Sequence, residues 1–208
     1  MNEVSTADLL AFALEIADEA DRLSMSFYRG DRDAVLGTTQ KADGTLVTRA
    51  DKAVEAMLRE RITARFPAHS ILGEEQGFTE GAEGATRWIL DPIDGTHGFA
   101  RGLPVWATLI ACERNSEIEV GVASAPALGT RWWAARGLGA WRAATAVNEG
   151  APERIAVSSI DRLADAQVLY GSHKLCLARW PEVAGVGFEP LLASAWRTRG
   201  FGDFWCHC

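Results

Sequence analysis

Cysteine is scarce and scattered in this chain. Its four residues, Cys112, Cys176, Cys206 and Cys208, follow no disulfide or zinc-ribbon spacing, which excludes a disulfide-stapled scaffold and leaves free thiols of the kind a reducing compartment keeps. The closing Cys206-His207-Cys208 offers soft donors but neither a fourth ligand nor a rigid frame, and it reads as a frayed terminus. No apolar run approaches the roughly 20 residues of a spanning helix, and no basic segment precedes the first amphipathic stretch. A membrane is therefore excluded as partner, and a cytoplasmic protein is expected. Basic stripes are missing too: 21 Lys and Arg stand against 28 Asp and Glu, a net charge of −7, which argues against nucleic acid. Repeats and low-complexity segments are absent. What remains is 208 residues, 48% of them apolar, enough for one compact domain or one domain plus part of a second. The partner should be a small molecule.

Ser5 and Asp8 form a capping pattern ahead of Leu9, Leu10, Phe12, Ala13, Ile16, Ala17, Ala20 and Leu23, a spacing that predicts a long first helix. In "KADGTLVTRAD" (Lys41 to Asp51), Asp43-Gly44 signals a turn and Leu46-Val47-Thr48 a short extended piece. A second helix is expected from Ala50 to Arg65, closed by Pro67. Ser70-Ile71-Leu72 reads as a buried strand ending in Gly73-Glu74-Glu75. An acidic Gly-rich loop (Gly77 to Gly84) follows, and then a second buried strand, Arg87 to Leu90, that ends in Asp91. From Val105, apolar segments of about 8–12 residues between turn signals predict an antiparallel meander. The polar stretch Asn148 to Pro152 marks a boundary between residues 1–147 and 148–208. Beyond it, Arg154 to Val157 and Gln167 to Tyr170 look like the opening strands of an α/β second half.

Both early strands finish in carboxylates. Asp91 and Asp94 flank Pro92, which stiffens the turn, and Glu74 can reach the same point if the two strands are neighbours. Like charges that close repel unless something positive lies among them. Hard oxygen donors with few cations nearby suit Mg²⁺. Gly95-Thr96 can offer backbone N–H groups to an anion, so metal and turn together would bind a phosphate ester and orient a water, with Asp51 and Thr96 placed to deprotonate it. Each piece also has a plain reading. Asp-x-x-Asp-Gly is common in turns, and Asp51 alone reads as the N-cap of the second helix. The ordered set favours the metal site.

"VTRAD", "GEE" and "LDPIDGTHGF" in this order resemble the inositol monophosphatase superfamily of Mg²⁺-dependent sugar phosphatases over essentially the whole chain. The resemblance implies a layered α/β sugar-phosphatase fold: an N-terminal α+β half with an antiparallel sheet, and a C-terminal α/β half. It implies that Glu74, Asp91, the carbonyl of Ile93 and Asp94 bind metal, two or three ions in the family. Gly95 and Thr96 would contact phosphate, and Asp51 with Thr96 would activate the water, Glu74 assisting in catalysis. Lys41 and Asp43 would fall in a loop that helps hold a further ion. "RGLPVWATLIA", "APALGTRWWAARGLGAW" and "RTRGFGDFW" resemble the histidinol-phosphate phosphatase branch. There Gly202 and Asp203 would touch the organic part of the substrate, the Asp203 carboxylate pairing with the histidinol amine or capping a helix, with Arg199 either a further substrate contact or an intersubunit one.

Two departures from the family pattern follow. His97 stands beside the phosphate turn where relatives often carry Thr, Ser or Lys, and an imidazole there would alter the local pH response. The family's Trp-Asp pair that completes the second metal site has no counterpart in this sequence, so the C-terminal half is expected to be incomplete and to expose apolar surface. The expected activity is hydrolysis of L-histidinol phosphate to L-histidinol. Inositol 1-phosphate or another sugar phosphate is the alternative substrate, a homodimer remains open, and an impaired relative acting only by binding or oligomerising is the reading of a different class.

Overall fold

The computed structural model describes residues 4–28, 39–40, 46–82, 86–145 and 151–200, and it divides into two units, Met1–Ile155 and Ala156–Cys208. In the first unit, α1 (Thr6–Tyr28) starts where the Ser5 hydroxyl accepts the Asp8 amide at 3.1 Å and donates to Asp8 Oδ2 at 2.6 Å. Leu9, Phe12, Ala13, Ile16, Ala17 and Ala20 follow at helical intervals and are buried. Alanine at three of these positions lets the helix axis lie close against the sheet.

The second helix, α2, spans Arg49–Arg65, and Thr48 rather than Asp51 is its N-cap. The Thr48 hydroxyl accepts the amides of Ala50 and Asp51 at 3.1 and 3.4 Å, and Asp51 Oδ2 accepts the Thr48 amide in return at 2.8 Å. Threonine with an acid three residues on makes this reciprocal box, and it places Asp51 inside the first turn. Asp51 thus keeps one oxygen for other work.

Two short strands, β1 (Thr39–Gln40) and β2 (Leu46–Val47), pair antiparallel ahead of α2. The main sheet has eight strands: β3 (Ser70–Gly73), β4 (Gly77–Thr79), β5 (Thr86–Asp94), β6 (Ala107–Arg114), β7 (Glu117–Ala125), β8 (Thr130–Ala135), β9 (Gly139–Ala144) and β10 (Glu153–Ile155). Their order is β10-β9-β8-β7-β6-β5-β3-β4, antiparallel except between β3 and β5. The expected meander is β6 to β9, and its first hairpin turns through Asn115 and Ser116 at φ 53° and 64°, the left-handed pair that matches strand twist. Three details differ from the sequence reading. The acidic loop opens with β4, which pairs with β3 at the sheet edge. The segment near Arg154 joins β9, opposite Ala140 to Arg142, with Arg142 and Glu153 paired at 2.7 Å. And β5 does not stop at Asp91: it runs to Asp94 through a register shift against β6. The shift lets proline sit inside a sheet, because Pro92 lies beyond the last β3 partner and has no ladder bond to give.

Helices α1 and α2 cover one face of this sheet. Between them Phe12 meets Phe66 edge-on at 5.1 Å and Trp88 at 5.6 Å, and Trp88 is wholly buried. Arg131 on β8 ties α1 to the sheet, its guanidinium bonding Asp21 and Asp18 at 2.7 Å each and the Ser124 hydroxyl at 2.8 Å. A second cluster, Ala50, Ile93, Phe99 and Trp106, packs with Tyr28 and Met25.

The second unit contains a parallel strand pair, β11 (Gln167–Tyr170) and β12 (Arg197–Gly200). Between the two strands come α4 (His173–Arg179), α5 (Pro181–Val183), a π-helical turn (Ala184–Phe188) and α6 (Glu189–Ser194), numbered after the short α3 (Thr96–Arg101) of the first unit. None of its described side chains is buried. The expected apolar exposure is there, with Val157 97% and Val186 81% accessible.

Candidate active site

The two carboxylate-bearing strand ends lie side by side because of register. Gly73 on β3 stands opposite Leu90 on β5, and the Glu74 amide donates to the Leu90 carbonyl at 3.1 Å. Glu74 is therefore delivered beside Asp91. The Asp91 carboxyl is pushed up to about 9, first by burial and then by the charges of Glu74 and Asp94; a hydrogen bond with Glu74 and the charge of Asp51 add to it. Among the described residues, Asp91 Oδ1 is buried with no hydrogen-bond partner.

Asp91 is crowded by three acids, yet among the described residues no three Asp, Glu, His or Cys side chains gather tightly enough to enclose an ion. The donor set nevertheless fits a hard divalent cation. All its atoms are oxygens, the charge in excess is negative, and the buried Asp91 Oδ1 has a lone pair that no other group among the described residues uses.

Beside the acids a threonine hydroxyl meets a second carboxyl. Thr96 Oγ1 lies 3.2 Å from Asp51 Oδ1 and 3.0 Å from the Ile93 carbonyl oxygen. Asp51 Oδ2 is taken by the Thr48 amide and hydroxyl, so Oδ1 alone faces Thr96. Burial raises the Asp51 carboxyl above its ordinary 3.8, partly offset by the hydrogen bonds from Thr48 and Thr96. A more basic carboxylate behind a threonine hydroxyl can draw a proton from a third group.

Gly95 makes the turn between these residues and α3. It adopts φ 95°, and a Cβ there would meet the Val105 carbonyl at 2.9 Å and Trp106 at 3.3 Å. Only glycine escapes both constraints. Trp106 is fully buried beneath the turn, 4.9 Å from Phe99 and 5.5 Å from Tyr28. The Thr108 hydroxyl donates to the Pro92 carbonyl at 2.8 Å, pinning the irregular part of β5 to β6.

The structure therefore brings Asp51, Glu74, Asp91, Ile93, Asp94, Gly95 and Thr96 together at one end of the sheet. His97 is exposed on the first turn of α3, with Arg101 Nη1 donating to its carbonyl at 3.1 Å. Arg199 lies on β12 in the second unit, exposed, its Nη1 donating to the Thr198 carbonyl at 2.7 Å. Lys41, Asp43, Gly202, Asp203 and the terminal Cys206-His207-Cys208 fall outside the described residues. Sequence reasoning missed Thr48, Glu55, Arg59 and Thr108. Thr48 was findable as the T-x-x-D box it forms with Asp51, and Glu55 as an acid one helical turn beyond Asp51. Thr108 carries no local signal.

A sequence model of the inositol monophosphatase family matches residues 5–175. The histidinol-phosphatase of Mycobacterium tuberculosis is 42% identical over 202 residues, 97% of this chain and 74% of that protein. The histidinol-phosphatase of Streptomyces coelicolor is 40% identical over 203 residues, 95% of this chain and 72% of the other. Among solved structures, the extragenic suppressor protein suhB of Bartonella henselae superposes with a TM-score of 0.80 at 27% identity, covering 94% of this chain and 70% of that one. The Thermotoga maritima IMPase gives 0.74 at 29%, over 94% and 69%.

Proposed function

This chain belongs to the inositol monophosphatase family of phosphomonoesterases, and from that premise we propose that it hydrolyses L-histidinol phosphate to L-histidinol with Mg²⁺ bound among Glu74, Asp91, the Ile93 carbonyl and Asp94. One observation carries the metal reading. A carboxylate surrounded by other acids and left with an unpartnered buried oxygen is costly, and a divalent cation would remove that cost. When bound, the cation would neutralise phosphate charge and acidify a water.

The protein's own groups do the rest. The Thr96 hydroxyl donates to Asp51 Oδ1 and so turns a lone pair outward, where it accepts a proton from the attacking water. Asp51, raised by burial, receives the proton from Thr96. Thr48 holds the other Asp51 oxygen and fixes the carboxylate's orientation. The amides at the start of α3, which have no partner one turn back in the helix, are donors for phosphate oxygens, and Gly95 leaves them open to close approach. Similarity to two histidinol-phosphatases at 42% and 40% identity supports the substrate, with Asp203 as the carboxylate that would pair with the substrate amine.

The test is phosphate release from L-histidinol phosphate and inositol 1-phosphate, with and without Mg²⁺. Mg²⁺-dependent turnover with the higher kcat/KM on histidinol phosphate is expected, and Asp203→Ala should lower that value more than the one for inositol 1-phosphate. Equal losses on both esters would remove the amine pairing, and turnover indifferent to Mg²⁺ and chelator would overturn the metal assignment.

A further inference from the structure

Glu55 is wholly buried on α2, one turn beyond Asp51. Its oxygens serve the loop that carries Glu74: Oε2 accepts the amide of Glu75 at 2.7 Å and Oε1 accepts the amide of Gln76 at 3.0 Å. Oε1 also accepts Arg59 Nε at 2.8 Å. The same guanidinium reaches the far side of the loop, donating to the Gly77 carbonyl and, at 3.0 Å, to the Thr79 hydroxyl. The near side leaves no slack either, since a Cβ on Gly73 would fall 2.2 Å from Glu55 Oε1 and 2.8 Å from Arg59 Nη2.

We propose that Glu55 and Arg59 are positioning residues that fix the loop presenting Glu74 and thereby set the affinity of the acidic cluster for its divalent cation. The inference rests on the metal reading above. Packing alone does not explain the pair, because an apolar pair of similar volume would fill the same space without burying charge. What only a carboxylate does is accept two consecutive amides at once, which locks the backbone just after Glu74. The helix adds rigidity: Asp51 and Glu55 lie four residues apart on one face of α2, so the proton acceptor and the support of the Glu74 loop share one frame. Groups that hold metal ligands in place typically change affinity about 10- to 100-fold when altered.

The test measures Mn²⁺ binding by electron paramagnetic resonance on the full chain, alongside thermal melting, for the wild type, Glu74→Gln, Glu55→Gln and Arg59→Lys. In Glu55→Gln the carboxamide nitrogen faces an amide N–H, so one of the two loop bonds is lost. In Arg59→Lys the ammonium can meet Glu55 but cannot span to Gly77 and Thr79. Each is expected to weaken Mn²⁺ binding about 10-fold, with Glu74→Gln losing more. If Glu55→Gln does not fold, Arg59→Lys decides alone. Wild-type Mn²⁺ affinity in these variants, with or without a lowered melting temperature, while Glu74→Gln binds weakly, overturns the positioning role and leaves the metal reading standing. A wild type that binds no Mn²⁺ overturns both.

Discussion

Two tryptophans in each unit tell different stories. Trp88 and Trp106 in the first unit are wholly buried, whereas Trp180 and Trp196 in the second are 57% and 64% exposed. The difference is one of layers rather than composition. In the first unit two long helices lie on one face of an eight-stranded sheet, so the apolar side chains of that face have a second layer to lie against. The second unit pairs two parallel strands, a geometry that is ordinarily covered on both faces, and its helices are too short to cover them. Apolar residues form a core only where a second layer exists. The acids around Asp91 follow the same division, since Glu74, Asp94 and Asp51 all belong to the well-packed unit.

The sharpest way to break the comparison is at Asp51. Asp51→Asn leaves the volume unchanged but removes the proposed proton acceptor, and kcat/KM for phosphate release is expected to fall by about a thousandfold while the melting temperature hardly moves. Near-full activity would show that the first unit's geometry is scaffold only. The acid limb of the wild-type pH profile sharpens the point. Because the folded Asp51 carboxyl is raised above 3.8, it protonates earlier as pH falls, so activity should decline at a pH higher than an ordinary carboxylate would give.

Stability comes next. Trp88→Ala empties space between α1, α2 and the sheet, and it is expected to cost about 3–5 kcal/mol in urea unfolding. Thr48→Ala removes a cap and one support of Asp51, with about 1–2 kcal/mol lost and a fall in kcat larger than any change in KM. Trp180→Ser, the second unit's counterpart to Trp88→Ala, should shift stability by no more than about 0.5 kcal/mol. A loss there comparable to Trp88→Ala would end the contrast between the units.

Much of this was legible before any coordinates. Periodicity set α1, α2 and the meander, because period 3.6 and period 2 write themselves into local sequence. The acids at 74, 91 and 94 stood out because carboxylates rarely end apolar runs in such density. Other features were hidden. An acid near a helix start is a common cap, so Asp51 reads locally as the cap of α2, whereas the reciprocal box gives that place to Thr48. The strand through Asp91 reads as ending before Pro92, because nothing local reports that a register shift against β6 accommodates the proline. The strand at Glu153–Ile155 reads as part of the second half, since a short strand does not announce that its partner is β9.

The sequence by itself determined which groups are available: the acids, the Gly95 turn that no other residue can make, and the threonines at 48 and 96. Tertiary structure decided which of them meet. Glu74 reaches Asp91 only because β3 and β5 pair in parallel with Gly73 opposite Leu90, and Thr96 reaches Asp51 only because α2 packs over the end of β5. Side-chain identity is a local property of the chain, but strand register and helix docking are settled by the burial of distant apolar faces, and that free energy has no address in any one segment.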